Sequence, residues 1–460
     1  METADRVLKK RWLILFGLLI LTSIGGLFVP EPASLFELDE ATASLLNKAD
    51  IAWMITATGL VMLMTPGLSF FYGGMVGSKN VISTMIQSVM AMGLISLVWI
   101  VVGFSLAFGE SWYGFVGDPR TFFMFQNVGG SPEGIPGMEL TIPLALFALF
   151  QLKFAIITPA LITGSFAERV HFSGYLIFML LFSVFIYAPL AHWTWHPNGF
   201  LGAMGVKDFA GGIVVHAASG IAALAGAIYL GRRHSHGKHV PANMPMVILG
   251  ACLLWFGWFG FNGGSTLDAS AGSVKAFLNT NTASAAAMLG WVFFDTIRGR
   301  KPSGMGVAVG CVVGLVGITP CAGWVTLGQS IFIGTFTAIC CNIAVHWKNK
   351  TSIDDALDVF PTHGVGGIIG TILSAIFVEG LLAGEYRIFF NHLLAIIIVF
   401  AYTFIGSYLL YWVTDKMVNM RVSDESEKIG LDRSQHGESY GVFITEPQEL
   451  AEYDKPTQIE

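Results

Sequence analysis

Apolar stretches of membrane-spanning length recur along this 460-residue chain and leave few folds open to it. A helix needs about 20 mostly apolar residues to cross the hydrocarbon of a bilayer. Eleven such stretches follow residue 50, some of them short or rich in glycine: 51–71, 81–108, 142–165, 174–191, 209–230, 245–262, 282–296, 305–318, 330–347, 365–377 and 389–413. Only 12% of the residues are charged, against roughly 25% in a soluble domain. The sequence therefore predicts an all-α integral membrane protein.

The first 30 residues combine a basic start, an apolar run and small residues that end near a proline. This pattern is typical of a signal peptide, and a retained extra helix is the alternative. We expect residues 31–50 to form a segment outside the cytoplasm, 51–417 to form the membrane domain and 418–460 to form a cytoplasmic tail.

Lysine and arginine in the connecting loops predict the orientation, because they favour the cytoplasmic side. If residue 31 lies outside, ten basic residues fall in inner loops and four in outer loops. The inner set is Lys79, Arg169, Arg232, Arg233, Lys238, Arg298, Arg300, Lys301, Lys348 and Lys350, and the outer set is Arg120, Lys207, Lys275 and Arg387. We expect a multi-pass protein of the cell (inner) membrane, with the mature N-terminus outside and the C-terminus in the cytoplasm.

Two histidines in corresponding stretches indicate internal symmetry. His216 lies in the fifth stretch and His363 just before the tenth, and each is followed by small residues. An odd number of helices then suggests two five-helix units plus one. In inverted repeats of this kind, sites form near the middle of the membrane between the halves.

Ionisable side chains inside membrane spans are costly, so each one is a candidate for function. The candidates here are Lys153, Glu168, Asp208, His216, Asp295, Asp358 and His363. If the two histidines meet, a neutral imidazole pair can pass a proton or hold a small polar solute. Two separate buried histidines are the alternative. No third ligand lies at helical spacing from either one, so we predict no metal site there.

Asp208 lies eight residues before His216, which is about 12 Å along a helix, so it cannot orient that ring directly. Its place before an apolar run favours a helix cap, in which the carboxylate accepts backbone N–H groups. Electrostatic support of a cation path is a second interpretation, and both can hold.

Aromatic residues form another group of candidates: Phe150, Phe154, Trp193, Trp195, Trp258 and Phe261. Tryptophan near a helix end usually anchors the chain at the membrane interface. The alternative is a cation-π site for a small cation, worth about 2 kcal/mol once water is excluded. The loop "GRRHSHGKHV" carries His234, His236 and His239, and its basic residues favour an orientation signal over a metal site.

Six ordered stretches resemble the Amt/Mep ammonium transporter family, in its Amt-type branch. They are "TPGLSFFYGGMV", "FAIITPALITGSFAERVHFSGYLIF", "DFAGGIVVHAASG", "GWFGFNGGS", "DVFPTHGVGGIIGTI" and "GLDRSQHGESYG". The resemblance as a whole extends from about Asp50 to Tyr440. The resemblance implies eleven transmembrane helices, in two inverted five-helix halves plus one long helix, assembled as a trimer with one pore per subunit. It implies a transporter. We expect no enzyme, because the sequence carries no activated nucleophile, metal cluster or phosphate-binding loop.

The resemblance also implies roles for matching residues. Trp195, Phe154 and Ser265 would recruit ammonium outside, with support from Asp208. Phe154 and Phe261 would form the gate, and His216, His363 and Trp258 would line the pore. Ammonium would lose its proton near the gate and cross as ammonia, with the proton moved separately. Methylammonium is a second candidate substrate; no cofactor, metal or nucleic acid is expected.

Two departures from the family pattern bear on this assignment. His196 and Pro197 follow Trp195 where glycines are more common, and Lys153 stands next to Phe154 where apolar or small polar residues are usual. A helical neighbour points about 100° away, so we expect Lys153 to face a subunit interface. A Lys153 that faced the outer vestibule would repel ammonium and favour a sensor with a slow or occluded pore. A Rhesus-type channel for neutral ammonia is the other alternative, against which Trp195 and Ser265 argue.

The tail accounts for the net charge of −6, because residues 418–460 hold ten acidic and four basic residues. Its stretch "RVSDESEKIGLDRSQHGESYG" resembles the cytoplasmic C-terminal region of the family, which packs under the pores and responds to PII signal proteins such as GlnK. The resemblance implies a regulatory segment that includes Gly430, Leu431, Asp432, His436, Gly437 and Glu438.

Overall fold

Helices dominate the computed structural model, which describes residues 2–30, 33–234 and 240–441. Within these ranges nine helical segments are long and apolar enough to cross a membrane. The one sheet in the same ranges is a short antiparallel hairpin of Ser111–Trp112 (β1) and Val116–Gly117 (β2). The prediction of an all-α, multi-pass membrane protein is confirmed.

The long helical segments are numbered here in chain order. They are α1 Glu2–Gly26, α2 Lys48–Met75, α3 Ser78–Phe108, α4 Leu144–Phe166, α5 Phe172–Ala203, α6 Gly212–Leu230, α7 Met244–Thr266, α8 Ala271–Ile297, α9 Gly304–Ile318, α10 Leu327–Lys348, α11 Phe360–Ala383 and α12 Tyr386–Val418. The described part of the tail forms two short helices, α13 Asp424–Ile429 and α14 Leu431–His436. A further short helix, Glu40–Ser44, precedes α2.

The eleven predicted spans fall on α2 to α12, one on each helix. Nine of these helices meet the length and hydropathy expected of a membrane span. The other two are α9, which has 15 residues, and α8, which has 27 residues and a polar buried face. On that face the Asn279 amide donates to the carbonyls of Ala322 and Val325, both at 2.9 Å. That α8 and α9 also cross the membrane, which would make eleven crossings, therefore stays a prediction.

Glycines set how closely the helices pack. A Cβ on Gly250 of α7 would lie 2.3 Å from the backbone nitrogen of Phe71 on α2, and a Cβ on Gly257 would lie 2.3 Å from Met64. Lipid gives helices no hydrophobic reason to associate, so close backbone packing of this kind is a main source of cohesion. Glycine at these positions therefore allows the close approach of α2 and α7.

The two histidine-bearing helices, α6 and α11, begin with matching distortions. His216 lies in a π-helical turn, Gly212–Ala217, and His363 lies in another, Phe360–Gly364. A π turn bonds residue i to i+5 and is common at functional sites. The helices cross where a Cβ on Gly220 would come 2.1 Å from the backbone nitrogen of Gly364. This crossing brings the two histidines together in the middle of the bundle.

Helix α1 lies along the outside of the bundle. The Trp12 ring packs 6.1 Å from the ring of Phe172, and Leu15 packs against the core. At the other end, a Cβ on Gly26 would lie 3.1 Å from Met124. Removal of residues 1–30 as a signal peptide stays a prediction.

Candidate functional site

A cavity of about 140 Å³, named the outer cavity after its predicted side of the membrane, contains three residues predicted to recruit a cation. Phe154 of α4, Trp195 of α5 and Ser265 of α7 all line it. The rings of Phe154 and Trp195 meet edge to face at 5.9 Å and 84°. The Ser265 hydroxyl donates to the carbonyl of Phe261 at 2.8 Å, so its lone pairs remain free to accept a hydrogen bond. Gln151, which was not among the predicted site residues, also lines this cavity.

Asp208 does not line this cavity, but it forms hydrogen bonds that stabilise the residues beside it. Its carboxylate accepts four backbone N–H groups at the start of α6, at 2.7 to 3.2 Å, from Gly211, Gly212, Ile213 and Val214. The capping interpretation is confirmed, although the N-cap position itself belongs to Gly211. Gly211 has φ 114°, a conformation that favours glycine.

The same aspartate positions the tryptophan. The Trp195 indole Nε1 donates to the backbone carbonyl of Asp208 at 3.0 Å. Burial raises the pKa of the Asp208 carboxyl, and the four N–H donors oppose that rise. No hydrogen bond joins Asp208 to His216 in the described part of the chain, in agreement with their spacing.

Two stacked phenylalanines close the floor of the outer cavity. The rings of Phe154 and Phe261 lie 4.2 Å apart and 30° from parallel, and both side chains are buried. Phe150 packs against Phe154 at 5.0 Å. A cation in the outer cavity would have to displace these rings to go deeper.

The two histidines meet next to the stacked phenylalanines. The Nδ1 atoms of His216 and His363 lie 3.4 Å apart, so one ring can donate a proton to the other. The His216 ring also stacks on Trp258 at 5.2 Å and on Phe261 at 5.9 Å. Trp258 is fixed in turn by its indole Nε1, which donates to the Thr319 hydroxyl at 2.9 Å. The alternative of two separate buried histidines is excluded by this contact.

A small cavity of about 10 Å³ lies beside the histidine pair. Its walls are His216, His363, Trp258, Phe261 and eight apolar side chains. A space of this size holds about one molecule as small as water. His216 Nε2 is buried without a hydrogen-bond partner among the described residues, so it can serve such a molecule.

Most of the chain matches a known protein family. Residues 52–440 match the model of the Ammonium Transporter Family. The chain belongs to this family. The ammonium transporter of Aquifex aeolicus is 44% identical over 409 residues, which cover 86% of this chain and 94% of that protein.

Solved structures agree with this family. The crystal structure of Candida albicans Mep2 superposes with a TM-score of 0.79 at 33% identity, covering 85% of this chain and 89% of that one. A structure described as a sensor Amt protein superposes with a TM-score of 0.78 at 31% identity, covering 87% and 100%. The chain is therefore an ammonium transporter with the Amt/Mep fold, from a family of transporters and not of enzymes.

Lys153 of the transporter lies outside the outer cavity. Its side chain is half-buried on α4, does not line the cavity and forms no hydrogen bond or ion pair with another described residue of the chain. The other departure is also absent from the cavity lining, because the buried His196 ring stacks on His192 at 4.3 Å.

A second buried aspartate repeats the spacing of Asp208 and His216. Asp355 lies eight residues before His363, is buried, and accepts the N–H of Phe360 at the start of α11, at 2.7 Å. Burial raises the pKa of the Asp355 carboxyl to about 6. Asp358 was among the predicted candidates and Asp355 was not, although the eight-residue spacing of aspartate and histidine is the same as for Asp208 and His216.

An ion-pair cluster surrounds this region. Arg233 pairs with Glu168 at 2.7 Å and with Asp354 at 2.8 Å, and Lys348 pairs with Asp358 at 2.6 Å. The candidates Glu168 and Asp358 are therefore members of a structural cluster. Asp295 likewise pairs with Arg300, at 3.0 Å.

The predicted regulatory segment is latched to the start of α3. Asp432 accepts the N–H groups of Ile82 and Ser83 at 3.1 and 2.7 Å, and the Leu431 N–H donates to Asn80 at 2.8 Å. In return, Lys79 donates to the carbonyls at the end of α13. Each side thus caps a helix of the other.

The remaining residues of this segment complete its fold. The His436 ring meets Phe172 edge to face at 5.2 Å, and the Glu438 N–H donates to the Asp432 carbonyl at 3.1 Å. Gly430 and Gly437 have φ of 100° and 68°, which favour glycine. These contacts tie both ends of α14 in place.

The histidine-rich loop lies only partly in the described chain. His234 pairs with Asp424 of α13 at 2.6 Å, while His236 and His239 lie outside the described residues. Among the residues that the structure describes, no group of three or more His, Cys, Asp or Glu side chains could hold a metal ion.

Proposed function

We propose that this chain is an electrogenic ammonium transporter that conducts ammonia. Ammonium binds in the outer cavity against the faces of Trp195 and Phe154 and donates an N–H to the Ser265 hydroxyl. It loses its proton near the gate of Phe154 and Phe261. Ammonia then passes the histidine pair, the proton moves separately, and the two recombine inside.

The observation that carries this proposal is the unbroken series of rings between the two cavities. Trp195, Phe154, Phe261 and His216 follow one another with centroids 4.2 to 5.9 Å apart. Burying a bare cation here would cost far more than the roughly 2 kcal/mol that a cation-π contact returns. Ammonium can avoid this cost by giving up its proton, whereas potassium has no proton to give.

The histidine pair suits both products of that step. A neutral imidazole has one donor and one acceptor, so it can hydrogen-bond ammonia. The contact between the two Nδ1 atoms offers a separate route for a proton. Selectivity then depends on acid-base chemistry as well as on size.

A current measurement tests the proposal. Proteoliposomes that carry the protein are adsorbed on a solid-supported membrane and given a pulse of ammonium. We expect a transient inward current that is absent with potassium. Ammonia flux without current would favour a Rhesus-type neutral channel, and ammonium binding without flux would favour a sensor.

The sensor alternative has one specific argument, the likeness to the structure described as a sensor Amt protein. A Lys153 that faced the outer cavity would also have favoured a sensor, but this residue does not line the cavity, which supports transport instead. The latched tail is compatible with both, since a tail can regulate a pore or report its occupancy.

We propose further that the protein forms a homotrimer in the cell membrane, with the mature N-terminus outside and the tail in the cytoplasm. The excess of basic residues in the proposed inner loops supports this orientation. Lys153 would face a neighbouring subunit. A PII protein of the GlnK type is the proposed partner of residues 418–460, and residues 1–30 are the proposed signal peptide.

A further inference from the structure

The outer cavity has a polar wall residue to which no role has been given. Gln151 of α4 lines the cavity together with Phe147 and Phe154. It lies four residues after the first and three before the second, so the helix presents all three side chains on one face. Apart from the Trp195 indole, Gln151 and Ser265 are the two polar side chains among the residues that line this cavity.

The Gln151 amide forms no hydrogen bond with a described residue, and its Oε1 is buried. Buried polar atoms in proteins are nearly always hydrogen-bonded, because an unpaired one loses its bonds to water and gains none. An unpaired amide in the wall of a cavity is therefore available to hydrogen-bond a ligand that enters the cavity.

The neighbouring groups indicate which ligand would do so. The Ser265 hydroxyl proton is taken by the carbonyl of Phe261, and the Trp195 indole proton is taken by Asp208. The serine thus offers only lone pairs to the cavity. Rotation about the last bond of a glutamine exchanges its oxygen and nitrogen at little steric cost, so Gln151 can present its oxygen as a second acceptor.

We infer that Gln151 is a binding residue of the outer cavity, whose amide oxygen accepts an N–H of ammonium opposite Ser265. Ammonium has four N–H donors, and two acceptors together with the aromatic faces satisfy them in a site without carboxylates. This inference rests on the proposed function, since it adds a contact to the recruitment site. The gate stack and the histidine pair consist of other side chains, so Gln151 sets the affinity for ammonium and not the maximal rate.

The test compares Gln151→Leu, which keeps the approximate shape and removes the acceptor, with Gln151→Glu, which keeps an oxygen and adds charge. Leu149→Ala is the matched control, because Leu149 lies on the same helix, is exposed and does not line the cavity. Transient currents are recorded over a range of ammonium chloride concentrations. A hydrogen bond to a cation corresponds to roughly a tenfold to hundredfold change in affinity.

We expect Gln151→Leu to raise the half-saturating ammonium concentration at least about tenfold while the maximal current is kept. Gln151→Glu should equal or lower the wild-type value, and Leu149→Ala should match it. An unchanged value for Gln151→Leu would overturn the inference. Equal damage from both Gln151 variants would also overturn it, because shape and not an acceptor would then be at work.

Failure of the proposed function would look different. If the wild type gives no current, the melting temperature of the purified protein is measured with and without ammonium chloride. Stabilisation by ammonium that Gln151→Leu removes and Gln151→Glu keeps would support the binding role even though transport had failed. Stabilisation that both variants retain in full would contradict it.

Discussion

Asp208 supports Trp195 with its backbone and α6 with its side chain, through one hydrogen bond from the indole and four from the helix start. Replacing it with alanine leaves those four N–H groups unpaired in a buried place. We expect Asp208→Ala to lower the free energy of unfolding by about 1–3 kcal/mol or more and to weaken ammonium recruitment. Thermal melting and current measurements on the same preparation check both effects.

Asp208→Asn is the informative comparison, because it keeps one acceptor oxygen and loses the charge. Partial recovery of stability with poor recruitment would show that the charge itself attracts the cation. If Asp208→Ala melted at the wild-type temperature, the capping role would be wrong.

The histidine pair can be tested at His216. Alanine there removes the ring that stacks on Phe261 and Trp258 and meets His363. We expect His216→Ala to abolish either the ammonium current or the discrimination against potassium, because the enlarged pore can admit water and hydrated ions. Currents with each cation on the same sensor measure this. Selective flux at the wild-type level would contradict the role given to the pair.

Lys153 should have little effect on transport. Its side chain lies outside the outer cavity, so replacing it with methionine changes no contact with the cation. We expect Lys153→Met to keep the ammonium current within about twofold, since surface charges farther away are screened by salt. Current amplitudes at low and high ionic strength are the measurement, and a large gain at low ionic strength alone would place the lysine near the cation path.

Asp355 predicts a pH dependence of stability. Its pKa is raised by burial to about 6, above the ordinary value of 3.8, so the folded state favours the protonated form. The stabilisation from protonation is therefore complete below about pH 4 and is lost as the pH rises through about 6. We expect Asp355→Asn to remove this decline, and melting temperatures of both proteins between pH 4 and 7 measure it. A difference between them that stayed constant over this range would refute the assignment.

The contact between the tail and the start of α3 can be tested at Gly430. A Cβ there would lie 2.5 Å from both the Cβ and the carbonyl oxygen of Lys79, at a φ of 100° that side chains rarely adopt. We expect Gly430→Ala to increase amide hydrogen exchange in residues 424–436 by at least about tenfold, as strain of about 1–3 kcal/mol is introduced. Gly437→Ala is the control for backbone strain, because Gly437 also has a positive φ, of 68°, but a Cβ there meets open space and not Lys79. Equal exchange in Gly430→Ala and the wild type would mean that the latch tolerates the side chain.

Much of the path was predictable because its residues are unusual in their surroundings. His216, His363 and Asp208 are polar residues in apolar segments, and membrane burial makes such residues conspicuous. Internal symmetry left open whether the histidines meet, the family resemblance implied that they do, and the 3.4 Å distance confirms it. Hydropathy predicted the positions of the helices. Helix α8 buries polar residues inside the bundle, so it is less apolar than an ordinary membrane span.

What the sequence concealed depends on three-dimensional contacts. No sequence pattern distinguishes Gln151 from other glutamines. Its unpaired amide and its place in the cavity wall are visible only in the structure. Arg233 had been counted as a loop charge, and only the fold brings it to both Glu168 and Asp354. The π turns could not be predicted from residue types. They occur where α6 and α11 pack closely against each other.

Because of each π turn, the position of the histidine depends on the exact number of residues between it and the preceding aspartate. The turn fits one more residue into the helix than an α turn would, and the eight-residue interval from Asp208 to His216, or from Asp355 to His363, includes it. Deleting a single residue from either interval would rotate the imidazole by about 100° away from its partner while the helices stayed apolar and intact. In surveying related sequences for conducting pores, the length of this interval is therefore a sharper criterion than the presence of two histidines.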